Sequence, residues 1–390
     1  MKILVLTDDY PPYVAGGAGV MAHRLVQELT AQGHVVRVVS TVQKKEYEGE
    51  DRIFSSYHER WRSYVSLYNP FLIKKIERII QDFKPDIVHA HNIHGHISYY
   101  ALVVAKKYAP VYMTAHDIMP FYPGTFTEFI NSKDGYKVTP ALLLKKFKYR
   151  YNPFRNIFVR YCLSKIDKII AVSFELKKAL EENGIGNITV IHNGINTHEW
   201  PVIKGDSHNI LFQGRLSGAK GGSLIIDALK IITKEFPEAN LVVLGRKDSY
   251  AEKMEEKAKG LGIQNNIVFK GWLDQDMVKQ AYGEVAVVVV PSVCFDSFPN
   301  GNLEAFAAGK PVVATCFGGS KEIVEDDVNG YIVNPFEINT LAEKISLLLR
   351  DKEMRNQFGE NGRKLVEAKY SVEHMAKQHI DLWKSSSKIA

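Results

Sequence analysis

Two carboxylates, Asp296 and Glu304, flank a turn in the run Pro291-Ser292-Val293-Cys294-Phe295-Asp296-Ser297-Phe298-Pro299-Asn300-Gly301-Asn302-Leu303-Glu304. A turn of this kind feeding a helix offers backbone N–H groups and a positive dipole end, where an anion is held without a metal. The pattern predicts a helix starting near Asn302, which puts Glu304 in its first turn and Asp296 in the preceding loop. A plainer alternative is that Glu304 complements the helix dipole and Asp296 caps a turn. Pro, Asn and Gly packed between strand end and helix resemble a ligand-facing loop more than a plain connection.

A second constellation is Gly214-Arg215-Leu216 with Lys220-Gly221-Gly222. Two cations five apart in a glycine-bearing loop can converge on a diphosphate, Arg bidentately and Lys as a point charge. No Gly-Lys-Ser/Thr is present, so this is not a Walker sequence, and a solvated basic loop is the alternative. Near the N-terminus, Pro11-Pro12-Tyr13-Val14-Ala15-Gly16-Gly17-Ala18-Gly19 opens a helix. Gly17-x-Gly19-x-x-Ala22 mimics a dinucleotide fingerprint, which would make the protein an oxidoreductase. The two prolines, and the absence of an acid at the end of the next strand, weigh against that. A glycine loop opening a helix still forms an anion nest. Thr114-Ala115-His116-Asp117 closes a strand at its carboxyl edge, where His116 could serve a site or simply pack. His89, His91, His94 and His96 recur every two or three residues, a spacing that suggests metal ligands, but no carboxylate or cysteine joins them. Asp274-Gln275-Asp276 has the spacing of a metal-binding pair, yet its context is that of a helix N-cap.

The elements that must position these groups are legible as short Val, Ile and Leu runs separated by helical patterns, which predicts parallel sheets covered on both faces. The first set is Ile3–Leu6, Val35–Val39, Ile87–Ala90, Val111–Thr114, Lys168–Ser173 and Ile188–Ile191. After a polar stretch at Asn196–Asn209 the second set is Ile210–Phe212, Leu241–Leu244, Ile267–Phe269, Val285–Val290, Val312–Ala314 and Tyr331–Val333. Met21, Ala22, Leu25, Val26 and Leu29 form one helical stripe that Gly33 stops. Two doubly wound α/β domains follow, at 1–200 and 201–368, with a C-terminal helix over 369–390 packing back on the first. In such sheets the crevice lies beyond the carboxyl ends of the strands, so two facing sheets are expected to share a cleft.

At 390 residues with 45% apolar content, two domains are the default and nothing suggests disorder. No apolar stretch approaches the length of a membrane span, and the N-terminus enters a strand at Lys2, so a cytoplasmic protein is expected. Cys162, Cys294 and Cys316 show no paired or metal-ligand spacing, which predicts reduced, buried thiols. A net charge of +6 is modest and does not imply nucleic acid. Its distribution is uneven: Lys145, Lys146, Lys148, Arg150, Arg155, Arg160, Lys165 and Lys168 interleave with Phe147, Tyr149, Tyr151, Phe154, Phe158 and Tyr161. This segment is either a solvated helix face or suited to anionic lipid headgroups at the inner face of a membrane.

Ser292 through Ala314 resembles the signature of retaining glycosyltransferases of the GT-B fold, specifically family 4 (group 1). Glu304-Ala305, Gly309-Lys310-Pro311 and Val312-Val313-Ala314 fit it, as do Gly318-Gly319 and Glu322-Ile323-Val324. The departure is Asp296, where the family usually has Glu. The first domain fits more loosely, through the glycine loop, His116, Ser173 and His192-Asn193-Gly194. The resemblance implies two Rossmann-like domains, the first on the acceptor side and the second binding the nucleotide-sugar. It implies a nucleoside-diphosphate-sugar donor (UDP or GDP) with no metal or other cofactor, and a glycan, lipid-linked or small acceptor. In these terms Arg215 and Lys220 hold the pyrophosphate with backbone help from Asn300, Gly301, Asn302 and Leu303. Glu304 binds the ribose, and Asp296 and His116 meet the sugar. Gly16, Gly17 and Gly19 approach the donor. A sugar-nucleotide-binding partner subunit without full turnover is the nonenzymatic alternative, which the Asp at 296 favours.

Overall fold

Strands made of continuous apolar residues cannot leave a face in water, and here each central strand is sealed between helices. The computed structural model describes residues 1–13, 16–132, 135–203, 205 and 207–387. Val14 and Ala15 of the glycine loop, Lys204 and Asp206 of the linker stretch, residues 133–134 and residues 388–390 lie outside the described residues. The chain divides into two compact units, one comprising Met1–Asn193 with Val372–Ala390 and the other Gly194–Ser371.

The first unit carries β1 (Lys2–Thr7), β2 (Val35–Val42), β3 (Arg52–Phe54), β4 (Ile87–Ala90), β5 (Val111–Ala115), β6 (Lys168–Ala171) and β7 (Ile188–Val190). They form one sheet in the order β3-β2-β1-β4-β5-β6-β7, and every pairing is parallel. The second unit carries β8 (Ile210–Gln213), β9 (Leu241–Leu244), β10 (Ile267–Gly271), β11 (Val287–Val290), β12 (Val312–Thr315) and β13 (Gly330–Val333). Its order is β10-β9-β8-β11-β12-β13, again all parallel. Strand order reverses between β1 and β4 in one sheet and between β8 and β11 in the other. Those are the two switch points at which a doubly wound sheet opens a crevice.

Met21, Ala22, Leu25, Val26 and Leu29 are the buried side of the helix Gly17–Ala31, as their spacing requires. The C-terminal helix Val372–Ser387 shares that core. Val372, Met375, Ala376, Ile380 and Trp383 cluster with Ile3, Val5, Leu25, Leu29, Tyr112 and Ile170. Trp383 is fully buried. In the second unit the helices Gly222–Ile232 and Ile338–Arg350 bring Ile225, Ile226, Leu229, Leu341, Ile345 and Leu348 onto the sheet.

Three expectations are corrected. The edge strand β3 has no apolar run to announce it, since Arg52-Ile53-Phe54 follows an acidic stretch and pairs only with β2. The last strand before the acidic turn starts at Val287, two residues late, because Val285 and Ala286 form the approach to it. Of the free cysteines, Cys162 and Cys294 are buried but Cys316 is only half-buried.

Candidate functional site

In the second unit three loops leave the carboxyl ends of β8, β11 and β12 and are tied together by backbone contacts only glycine tolerates. Gly221 has φ +78°, and a Cβ there would lie 2.0 Å from the Pro291 carbonyl oxygen. Gly318 has φ +87°, and its Cβ would lie 2.1 Å from the Asp296 carbonyl oxygen. Val293 donates its N–H to the Ala219 carbonyl at 2.8 Å, and Gly319 donates to Asp296 at 2.8 Å. Asp296 is therefore the point where the loops meet, held by its backbone before its side chain is considered.

That side chain receives the Lys220 ammonium, Nζ to Oδ2 at 2.5 Å, and the Ser292 hydroxyl at 2.8 Å. Burial works against the Lys220 charge, but Asp296 outweighs it and pushes the ammonium above its ordinary range. Arg215 is exposed, and its side chain makes no ion pair among the described residues. Its charge nonetheless acts on Lys220 and on the Cys294 thiol. The two cations of the β8 loop thus share one neighbourhood but not one state: Lys220 is neutralised by Asp296, and Arg215 faces outward.

Glu304 is buried on the helix Asn300–Ala307, where its Oε2 accepts from Tyr282 Oη at 3.2 Å and Gln213 Nε2 at 3.4 Å. The helix begins at Asn300, earlier than the sequence predicts, so Glu304 is its fifth residue and stands beyond the first turn. The reason is Pro299, which takes the cap position with extended backbone and accepts the Asn302 N–H at 3.1 Å. Glu304 is consequently placed by Tyr282 and Gln213, not by the helix dipole. Of the four residues expected to offer backbone donors, Asn302 has committed its N–H to Pro299. Its side chain is fully buried, with Nδ2 donating to Ser320 Oγ at 3.1 Å. Asn300 and Gly301 occupy the first turn and Leu303 is buried. Asp274 caps its helix by accepting the Met277 N–H at 2.9 Å, as its context predicts.

In the first unit a row of histidines lies at the carboxyl ends of β4 and β5. His116, just beyond β5, receives or gives a hydrogen bond between its Nε2 and His91 Nδ1 at 2.9 Å. Its ring is stacked on His91 at 5.2 Å, and its Nδ1 has no partner among the described residues. Burial pushes His116 down to about 4 against the opposing pull of Asp117, so the imidazole is neutral at neutral pH. Behind it His91, His89 and His379 continue the row, with burial also lowering His89 and His91. Asp117 is occupied by Asn92 Nδ2 and the Met119 N–H. Gly16 caps the helix Gly17–Ala31 with extended backbone. Gly16 and Gly17 are exposed, while Gly19 is buried on the helix.

Sequence reasoning passed over Asp8 and Asp9. Asp8 accepts the N–H groups of Gly95, His96 and Ile97, fastening the loop after β1 to the loop after β4. Asp9 is raised to about 6 by burial and by the neighbouring Asp8, with Arg62 opposing. An acidic pair directly after the first strand was the available signal. His91 was visible only as one member of a run; its role next to His116 depends on β4 and β5 being neighbours.

Solved structures share this architecture. Sucrose-phosphate synthase from Thermosynechococcus elongatus superposes with a TM-score of 0.78 over all of both chains at 18% identity. Anabaena HepE in complex with UDP gives 0.71 over 99% of this chain and all of that one, at 20% identity. The pair of parallel-sheet Rossmann-like units is therefore the GT-B fold of glycosyltransferases. The chain belongs to the group 1, family 4 glycosyltransferases: "Glycosyl transferases group 1" matches residues 196–365 and "Glycosyltransferase Family 4" residues 15–199. Among relatives, an uncharacterized glycosyltransferase of Methanocaldococcus jannaschii, MJ1607, is 27% identical over 98% of both chains. The lipopolysaccharide 1,2-N-acetylglucosaminetransferase of Salmonella typhimurium is 30% identical over 56% of this chain and 62% of its own.

Proposed function

We propose that this glycosyltransferase moves a hexosyl group from a UDP- or GDP-sugar to an acceptor hydroxyl with retention of configuration and without a metal. The observation that carries the donor reading is the meeting of the β8 and β11 loops at the switch point of the second sheet, with Arg215 exposed and Lys220 bound to Asp296. In this reading Arg215 and Lys220 hold the diphosphate and stabilise the charge that develops on it as the sugar bond breaks. Glu304, oriented by Tyr282 and Gln213, accepts from the ribose hydroxyls. Asp296 orients the sugar, and neutral His116 contacts it through Nδ1. Gly16 and Gly17 offer backbone to the donor. The acceptor, a glycan, a lipid-linked sugar or a small molecule, is taken by the first unit.

Calorimetry with UDP and GDP tests the phosphate assignment. Arg215→Ala should weaken binding roughly tenfold or more, from charge-assisted hydrogen bonds of about 1.5–3 kcal/mol; unchanged affinity refutes it. Transfer should persist in chelator, and activity lost in chelator but restored by manganese would overturn the metal-free mechanism.

One observation favours a second reading, a binding subunit with impaired turnover. The Asp296 carboxylate is already shared between Lys220 and Ser292, and its stem is one methylene shorter than the usual Glu. Hydrolysis of the donor without acceptor separates the two, since a pocket that only binds releases no free sugar.

A further inference from the structure

The first unit bears a helix whose outward side is apolar. The helix Arg155–Leu163 packs on the body of the unit through Arg155, Val159 and Cys162, with Leu163 also buried. Arg155 is capped inside by the carbonyls of Met119 and Pro120. The side opposite that row presents Phe154, Ile157 and Tyr161, which are 72%, 60% and 47% exposed. A surface helix ordinarily reverses this arrangement, with the charge outside and the aromatic inside. The exposed stripe is not isolated. Tyr161 contacts Phe158, Phe158 contacts Tyr100, and Tyr100 contacts Tyr68, with ring centroids 6.2, 6.3 and 5.3 Å apart. Three residues beyond Tyr68, Phe71 is 81% exposed at the start of the helix Pro70–Phe83. Asn152 Nδ2 reaches the Ser63 carbonyl, joining the approach to the helix Arg155–Leu163 to the stretch that carries exposed Trp61 and Tyr64. Two segments far apart in sequence thus build one aromatic face.

Charge gathers on the same segment. Residues 135–166 contain eight Lys and Arg and no Asp or Glu, against a net charge of +6 for the whole chain, leaving −2 for the rest. Lys145, Lys148, Arg160 and Lys165 are exposed and form no ion pair among the described residues. Lys165 lies over the Tyr161 ring at 5.1 Å and Arg150 over Tyr149 at 5.7 Å. Exposed aromatics flanked by exposed cations are matched by a surface that is apolar inside and negative at its boundary. An acidic protein partner would supply the charge without a continuous apolar layer, and a second copy of this chain would set cation against cation.

We propose that this face docks the enzyme on an anionic lipid bilayer, with Phe154, Ile157, Tyr161 and Phe71 entering the headgroup boundary and the surrounding cations meeting lipid phosphates. The donor reading is independent of it, because the two rest on different residues.

The test is flotation of the full chain with vesicles of phosphatidylcholine alone and of phosphatidylcholine with phosphatidylglycerol. Binding is expected only to the second and should fall as salt is raised. Replacing Lys148, Arg160 and Lys165 together with Gln should weaken it roughly hundredfold, at about fivefold for each cation near the surface. F154S/I157S/Y161S should weaken it at least tenfold while its melting temperature and donor hydrolysis match those of the parent. The proposal is overturned if the parent ignores anionic vesicles at low salt, or if the serine variant floats as well as the parent. It is equally overturned if the parent self-associates through this face, seen as a concentration-dependent dimer that the serine variant abolishes.

Discussion

Asp296→Asn should tighten nucleoside-diphosphate binding even as it slows transfer. The Asp296 carboxylate lies 2.5 Å from Lys220 Nζ, and the two side chains are 14% and 29% exposed. Any phosphate oxygen at hydrogen-bond distance from that ammonium comes within about 5–6 Å of the carboxylate, where at an effective dielectric near 20 two unit charges repel by about 3 kcal/mol. Screening at physiological salt acts over about 8 Å and removes only part of this. Partial exposure and the freedom Lys220 gains reduce the net effect further, to roughly tenfold in Kd, or about 1.4 kcal/mol. The assay is calorimetric titration with UDP and GDP, run beside Ser292→Ala, which leaves the charge in place and should shift Kd less than about threefold. Lys220→Met should move affinity the other way. If Asp296→Asn binds more weakly than the parent, or if both charge variants bind as the parent does, the diphosphate does not reach Lys220 and the donor assignment fails.

Gly221→Ala should cost about 2–4 kcal/mol, because φ +78° strains any side chain and its Cβ would meet the Pro291 oxygen at 2.0 Å. Nucleotide binding should fall with it, and a variant that melts and binds like the parent would show that the two loops move apart freely. Trp383→Ala, at a fully buried position, should destabilise the first unit by about 3–5 kcal/mol. The expected result is early proteolysis of that unit, and a parent-like digestion pattern would contradict its role in the core. Acid should also weaken the first unit. Burial holds His116 and His379 at about 4, below the ordinary histidine value of 6.5, so the folded state binds fewer protons than the unfolded one. Their stabilisation is intact above pH 6.5 and is lost as pH falls toward 4, by about 3 kcal/mol for each group. Melting between pH 7 and 4.5 should show this slope, and His379→Gln should flatten it; an unchanged slope would mean that His379 does not contribute.

Strand positions were readable wherever burial on both faces forces an uninterrupted apolar run. Leu241–Leu244 is reproduced at both ends, and Ile87–Ala90 likewise. Failure came where that pressure is absent. β3 contributes three residues at a sheet edge, and only Ile53 among them is buried. The start of the helix at Asn300 was missed for a different reason. Proline at a cap position fixes the entry of the chain, and the pattern of Asn and Gly that follows reads equally well as loop or first turn.

The candidate site was legible as an inventory of groups but not as a set of pairs, and the pairs decide what each group is free to bind. Residue types and spacing identify Arg215, Lys220, Asp296 and Glu304 as two cations and two carboxylates near strand ends. Nothing in their spacing says that Lys220 and Asp296 cancel one another while Arg215 stands clear, because that follows from β8 and β11 being neighbours. The same holds in the first unit, where His91 and His116 meet only because β4 and β5 pair. The parallel topology therefore does more than hold the loops. By choosing which charges touch, it leaves one exposed cation and one neutral imidazole where the sequence alone offers two cations and a row of histidines.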